Sequence, residues 1–265
     1  MRRSVTLLTL AAFGYAFLYL PIATLVVYSF NASDRVMVWD GWSLRWYAAL
    51  LDNASILRAA ALTIQVAVTN AFGATIIGLL AGYVLARHGR FRGRALFAGM
   101  LAAPLIVPEV VTGLSLLVLF VGLQESVGWP MARGATTITI AHMTFSSAYV
   151  AVVVQARLAQ QDQALEEAAL DLGATPTRAF LTVTVPLLAP ALVAGWLLAF
   201  TLSIDDLVIA SFVSGPAATT LPMLVFSEVR LGLSPEINAL ATLMILTVTL
   251  LGTAALLLLG RRRGD

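Results

Sequence analysis

Six stretches of this chain, near residues 7–29, 59–86, 95–121, 135–156, 186–209 and 237–260, are long and apolar enough to cross a hydrocarbon core of about 30 Å, for which about 20 apolar residues suffice. Five carry no charged residue across their apolar core, and the third carries one, Glu109. Lipid offers no partner to a backbone N–H or C=O, so apolar spans of this kind fold as helices. Only 11% of the residues are charged, against about 25% for a soluble domain, which sets the whole chain among integral membrane proteins. The expected fold is therefore all-α, with six transmembrane helices in a single transmembrane domain covering residues 1–265. An even number of spans puts both termini on one side. That side carries Arg2, Arg3, Arg87, Arg90, Arg92, Arg94, Arg157, Arg178, Arg261, Arg262 and Arg263, and the other carries Arg35, Arg45, Arg58, Arg133 and Arg230. The arginine-rich side is expected to be cytoplasmic. Met1-Arg2-Arg3 before an apolar run resembles a secretion signal, but the run to Phe30 is too long, and an uncleaved first helix is expected.

Between the fourth and fifth spans lies a polar island, residues 157–186, placed in the cytoplasm by this topology. Its residues spell two short helices and a sharp turn. Asp162 is positioned to cap a first helix through Leu165, Glu166, Glu167, Ala168, Ala169 and Leu172. Gly173 ends it, and Thr175 with Pro176 opens a second as N-cap and first helical residue.

Other features are local. Trp39, Trp42, Trp46 and Tyr47 in the first external loop fit interfacial anchoring better than a ligand cage. Gly73, Gly78 and Gly82 line the second span, the last two in GxxxG spacing, for close packing within the subunit or against a partner. Pro104 and Pro108 are expected to kink the third span just before Glu109.

Three acids lie at membrane depth: Glu109 near the middle of the third span, and Asp205 and Asp206 toward the outer end of the fifth. A carboxylate at the bilayer centre costs about 2.5–3.5 kcal/mol on insertion scales. No Arg occurs inside a span to pair with them. They either hold helices together through hydrogen bonds or line a wet route for a cationic solute. Enzymatic chemistry finds little footing. There are no cysteines and only two histidines: His88 sits in a basic loop, and His142 is a lone span residue fit for helix packing. HExxH is missing, which argues against a zinc enzyme, and GxxxxGK[ST] is missing, so the chain has no phosphate loop with which to hydrolyse ATP.

The polar island resembles the EAA loop of permease subunits of bacterial ABC importers, whose pattern is E-A-A, three residues, G, nine residues, I-x-L-P. Glu167-Ala168-Ala169, Gly173, Val183 and Val185-Pro186 keep that register, with Val replacing a larger aliphatic residue twice. The runs Pro104 to Ser115 and Ser203 to Ala239 are similar to the smaller permease of putrescine/spermidine importers, and the similarity covers nearly the whole chain. The resemblance implies a type I ABC importer permease fold. It also implies that the island docks a separate ATPase through Glu166, Glu167, Ala168, Ala169, Gly173, Pro176, Arg178 and Pro186. Expected partners are a second homologous permease, two copies of the ATPase, a periplasmic or tethered polyamine-binding protein and membrane lipid, with no nucleic acid. No cofactor is expected on this chain, ATP and Mg belonging to the ATPase. A polyamine would give Glu109, Asp205 and Asp206 a role in the translocation path, with Tyr149 or Trp196 offering cation–π contact. The alternatives are an ABC permease for iron, phosphate, sulfate or thiamine, or a stand-alone channel or ion-coupled transporter.

Overall fold

The computed structural model describes residues 2–35, 38–231 and 235–261, and everything in them is helix or connecting loop apart from one isolated β-bridge. Arg262 and Arg263, which entered the arginine count, lie outside the described residues, as does Met1. In chain order the helices are α1 (Arg2–Tyr28), α2 (Arg45–Asp52), α3 (Ala54–Arg87), α4 (Arg94–Ile106), α5 (Glu109–Val127), α6 (Ala135–Leu158) and α7 (Ala164–Asp171). They continue as α8 (Pro176–Ala179), a π-helical turn (Phe180–Thr184), α9 (Val185–Ile204), α10 (Val208–Val213), α11 (Leu221–Leu231) and α12 (Pro235–Arg261).

Among the described residues, five helical segments are long and apolar enough to cross a membrane: Thr6–Tyr28, Ala54–Arg87, Glu109–Val127, Ala135–Leu158 and Pro176–Ile204. The sixth expected span falls on α12, whose described apolar portion, Pro235–Leu250, is shorter.

The third expected span is not one kinked helix. It is α4 and α5, separated at Val107-Pro108. Proline pushes the residue before it out of the helical region, and Val107 is extended at φ −78° and ψ 133°. Glu109 consequently stands in the first turn of α5, where a carboxylate complements the helix dipole, rather than midway along a helix. The fifth span also differs from its expected limits. It begins at Pro176 instead of 186 and stops at Ile204, leaving Asp205 as its C-terminal cap residue.

The chain divides into two compact units, with the boundaries inside α3 and α11. Unit 2, Ala59–Met223, holds α6 at its centre: 61% of the most apolar stretch of that helix is enclosed, against none for α1. The glycines of α3 set the packing. A Cβ on Gly78 would stand 2.9 Å from the Ser147 carbonyl oxygen, and one on Gly82 would stand 2.9 Å from that of Ala151. The GxxxG face is thus spent inside the subunit, on α6. Asn70, fully buried, ties three spans together: its Nδ2 donates to Ser146 Oγ (3.2 Å) on α6 and to the Ala199 carbonyl (2.8 Å) on α9. Around this seam lie two apolar clusters, one built on Ile138, Phe145, Ile209 and Val213, the other on Val150, Val154, Leu188 and Ala199.

In unit 1, α12 packs beside α1 and α2. From Leu7 to Val27 the side chains of α1 are mostly apolar and exposed nearly all round, as a lipid-facing helix requires. The loop that follows is organised by Asn31, whose Oδ1 accepts from the N–H groups of Ser33 (3.2 Å) and Asp40 (2.9 Å). Trp46 Nε1 donates to the Asn31 carbonyl (2.8 Å). Trp39 and Trp42 meet edge to face, 5.0 Å apart, so the aromatic cluster packs on itself.

Candidate functional site

The polar island is anchored at each joint by the residues its sequence singled out. Asp162 Oδ1 accepts from the Ala164 N–H (3.0 Å) at the start of α7. At its end, the Ala174 N–H donates to the Ala169 carbonyl and the Gly173 N–H to that of Leu170, with Gly173 at φ +87°. This pairing is a Schellman motif, and its left-handed position is open to glycine at no steric cost. Thr175 Oγ1 then accepts from the Arg178 N–H (3.4 Å), with Pro176 at the first helical position.

The second short helix is a correction. It does not stop at a loop but runs through the π turn into α9, so Pro176–Ile204 is one rod of about 43 Å at 1.5 Å per residue. The π turn sits immediately before Pro186, which has no N–H to give to the preceding turn and whose ring would crowd it.

On α7 the two glutamates part company. Glu166 faces inward. Its Oε1 accepts from Arg87 Nε (3.0 Å), and Tyr83 Oη donates to its Oε2 (3.4 Å). The side chains of Arg87 and Glu166 are only 9% and 17% exposed. Its charge is therefore taken up within the chain, whereas Glu167 and Ala168 face solvent. Ala169 is half-buried, while Arg178 and Pro186 are exposed. Leu172, 91% exposed, and half-exposed Leu165 flank Ala168 at helical spacing and give this face an apolar stripe.

At the other end of α9 the membrane acids also separate. Asp206 Oδ2 lies 3.0 Å from His142 Nε2, and His142 Nδ1 lies 2.7 Å from Ser203 Oγ. The same carboxylate accepts from the N–H groups of Ile209 (3.3 Å) and Ala210 (2.8 Å), capping α10. The spans hold no Arg to meet these acids, but His142 meets Asp206. Its imidazole joins α6 to the end of α9 and the start of α10. A Ser-His-Asp sequence of contacts invites comparison with a hydrolase. Here, however, the carboxylate holds Nε2 and the hydroxyl holds Nδ1, the reverse of the catalytic arrangement. The His142 and Asp206 side chains are buried, at 3% and 8% exposed, so the trio acts as a structural lock.

Asp205 is exposed and so is Glu109. Helix α5 meets α10 at Gly113, where a Cβ would fall 2.8 Å from the Phe212 ring. Glu109, one turn earlier, shares that face of α5. Trp196 stacks on Phe200 (5.4 Å) and meets Phe72 edge-on (5.5 Å), and Tyr149 packs against Phe145 (5.2 Å). Sequence reasoning missed three relationships, His142–Asp206, Arg87–Glu166 and Asn70–Ala199. Each joins residues more than sixty positions apart, and a polar residue in or beside a span was the only hint of any of them.

A polytopic helical subunit, a capped polar loop continuous with a span and acids at the far end together define a membrane transport component. The chain belongs to the family of binding-protein-dependent transport system inner membrane components, whose signature matches residues 74–264. It is 55% identical over 259 residues to the putrescine transport system permease protein PotI of Escherichia coli (strain K12), covering 98% of this chain and 92% of that protein. It is 42% identical to the spermidine/putrescine transport system permease protein PotC of Haemophilus influenzae, over 87% of each chain. Among solved structures, a bacterial ABC transporter for import of the acidic polysaccharide alginate has the same fold, at TM-score 0.74, 18% identity and coverage of 95% of this chain and 94% of that one.

Proposed function

We propose that this protein is one permease half of an ATP-driven importer of polyamines, with putrescine as the preferred solute. The observation that carries the reading is the 55% identity, spread over 98% of the chain, to a putrescine permease. In this reading both termini and the 157–186 loop lie in the cytoplasm. A second homologous permease completes the path, two copies of a separate ATPase hold ATP and Mg, and a periplasmic or tethered binding protein delivers the solute. Docking falls to the outward face of the loop, namely Glu167, Ala168, Arg178 and the exposed leucines. Gly173, Pro176 and Pro186 set its shape, and Ala169 allows close approach. Glu109 and Asp205, the exposed acids, meet the ammonium groups in transit. Asp206 holds the frame through His142, and Tyr149 and Trp196 back the wall of the path.

The test is uptake of radiolabelled putrescine by cells deleted for this permease and carrying it on a plasmid. Restoration of saturable uptake, competed by excess putrescine more strongly than by spermidine, is expected. Restored growth on an unrelated solute with no polyamine uptake would reject the substrate.

A further inference from the structure

We infer that Arg87 and Glu166, with Tyr83, form the joint through which movement of the α7 loop is delivered to α3. They act as positioning residues for coupling between ATP hydrolysis and transport. The inference rests on the permease reading above.

Three observations meet at this point. First, among the described residues the contacts of Glu166 with Arg87 and Tyr83, both on α3, are the hydrogen bonds and ion pair that join a side chain of α7 to a membrane-spanning helix. Second, the joint is enclosed. Arg87 is 91% buried by its 9% exposure, and its Nη2 finds no hydrogen-bond partner, so the guanidinium depends on Glu166 for its polar satisfaction. Tyr83 adds its hydroxyl to the carboxylate and sets its ring edge-on to Phe180 of the π turn, 4.8 Å between centroids. Breaking a buried pair from one side leaves an uncompensated charge, which gives the contact two discrete states, made and broken. Third, what lies behind Arg87 is stiff. The last turns of α3 are seated on α6 through Gly78 and Gly82 with no space for a Cβ, so a pull on Arg87 moves the α3–α6 pair as a body.

A cleft of about 430 Å³ opens beside the joint, lined by Ala86, Arg87, Gln155, Leu158, Gln161 and Gln163. It leaves α7 room to shift against α3 unless the ion pair holds it. Without the pair, motion of the docking face would be absorbed in the loop. A mobile contact of this kind is an energetic link only if both ends bias one two-state element, and the made or broken pair is that element.

The test uses the full complex of both permeases, ATPase and binding protein in lipid nanodiscs. Glu166→Gln and Arg87→Gln are each expected to retain the ATPase on purification. In both, stimulation of ATP hydrolysis by the loaded binding protein should fall about tenfold, within the usual range of coupling between sites. The reciprocal exchange, Arg87→Glu with Glu166→Arg, should restore most of the stimulation. Tyr83→Phe, which keeps the ring, should give a smaller loss and guards against misfolding of the charge variants. Unchanged stimulation in both single variants overturns the joint, as does loss of the ATPase from either, which would make the pair part of docking or folding. Stimulated hydrolysis is read without measuring transport. A wild-type complex that is stimulated by its binding protein yet moves no polyamine therefore rejects the substrate and leaves the joint under test.

Discussion

His142 Nε2 and Asp206 Oδ2 stand 3.0 Å apart inside the helical bundle, and the same carboxylate caps α10 through two backbone N–H groups. Adjacent acids at membrane depth thus have unlike duties. Asp206 is committed to the frame, whereas Asp205 is free of the lock and exposed.

The two aspartates should therefore separate on substitution. Asp206→Ala removes a cap and strands a buried histidine, and is expected to lower stability by about 1–3 kcal/mol. Asp205→Asn should leave the melting temperature unchanged while reducing polyamine uptake. Thermal unfolding in detergent alongside uptake assays checks both. Equal melting temperatures for Asp206→Ala and wild type would remove the lock.

The glycine seam makes a second prediction. Gly82→Val places a branched side chain where a single Cβ already falls 2.9 Å from the Ala151 carbonyl and from Val154. Overpacking of this kind costs about 1–3 kcal/mol. The yield of folded protein by fluorescence size-exclusion chromatography should drop for Gly82→Val and remain normal for Gly99→Val, since a Cβ on Gly99 meets nothing within 4 Å.

Asn70 offers a third. Replacing it with Leu removes hydrogen bonds to both α6 and α9. Interhelical hydrogen bonds in membranes average about 0.6 kcal/mol and reach about 2 kcal/mol. A modest fall in unfolding midpoint is expected, larger than that of Asn70→Gln if the amide can still reach the Ala199 carbonyl.

The docking face gives a fourth. Glu167→Arg and Leu172→Asp change only exposed positions on the loop. Each should leave the protein folded in the membrane while the ATPase is lost on affinity purification. Retention of the ATPase at wild-type level by both would place docking elsewhere.

Local chemistry was legible because each device is complete within a few residues. The Asp162 cap, the Gly173 turn and the Thr175-Pro176 helix start are all present where the sequence puts them, as are the first, second and fourth spans. Helix limits were misread where proline acted in two different ways. Pro108 breaks the helix by forcing Val107 extended, while Pro186 is absorbed by a π turn, and no local pattern tells these outcomes apart. The pairings of Glu166 with Arg87 and of Asp206 with His142 were not legible. An acid shows its charge in sequence but not which distant helix will be folded against it. For that reason Glu166 read as an outward charge when it is an inward one.

In the proposed function the chain serves as the polyamine-conducting half of an ATP-driven importer. The most direct measurement is accumulation of radiolabelled putrescine in proteoliposomes containing the complete complex, with binding protein on the outward face of the permeases and ATP on the side of the 157–186 loop. Accumulation is expected to need ATP, binding protein and this chain together, and to be abolished by Glu167→Arg. An assembled complex that hydrolyses ATP in response to its binding protein but moves no putrescine or spermidine would contradict the polyamine assignment. Putrescine flux through this chain in the absence of any ATPase would contradict the importer itself.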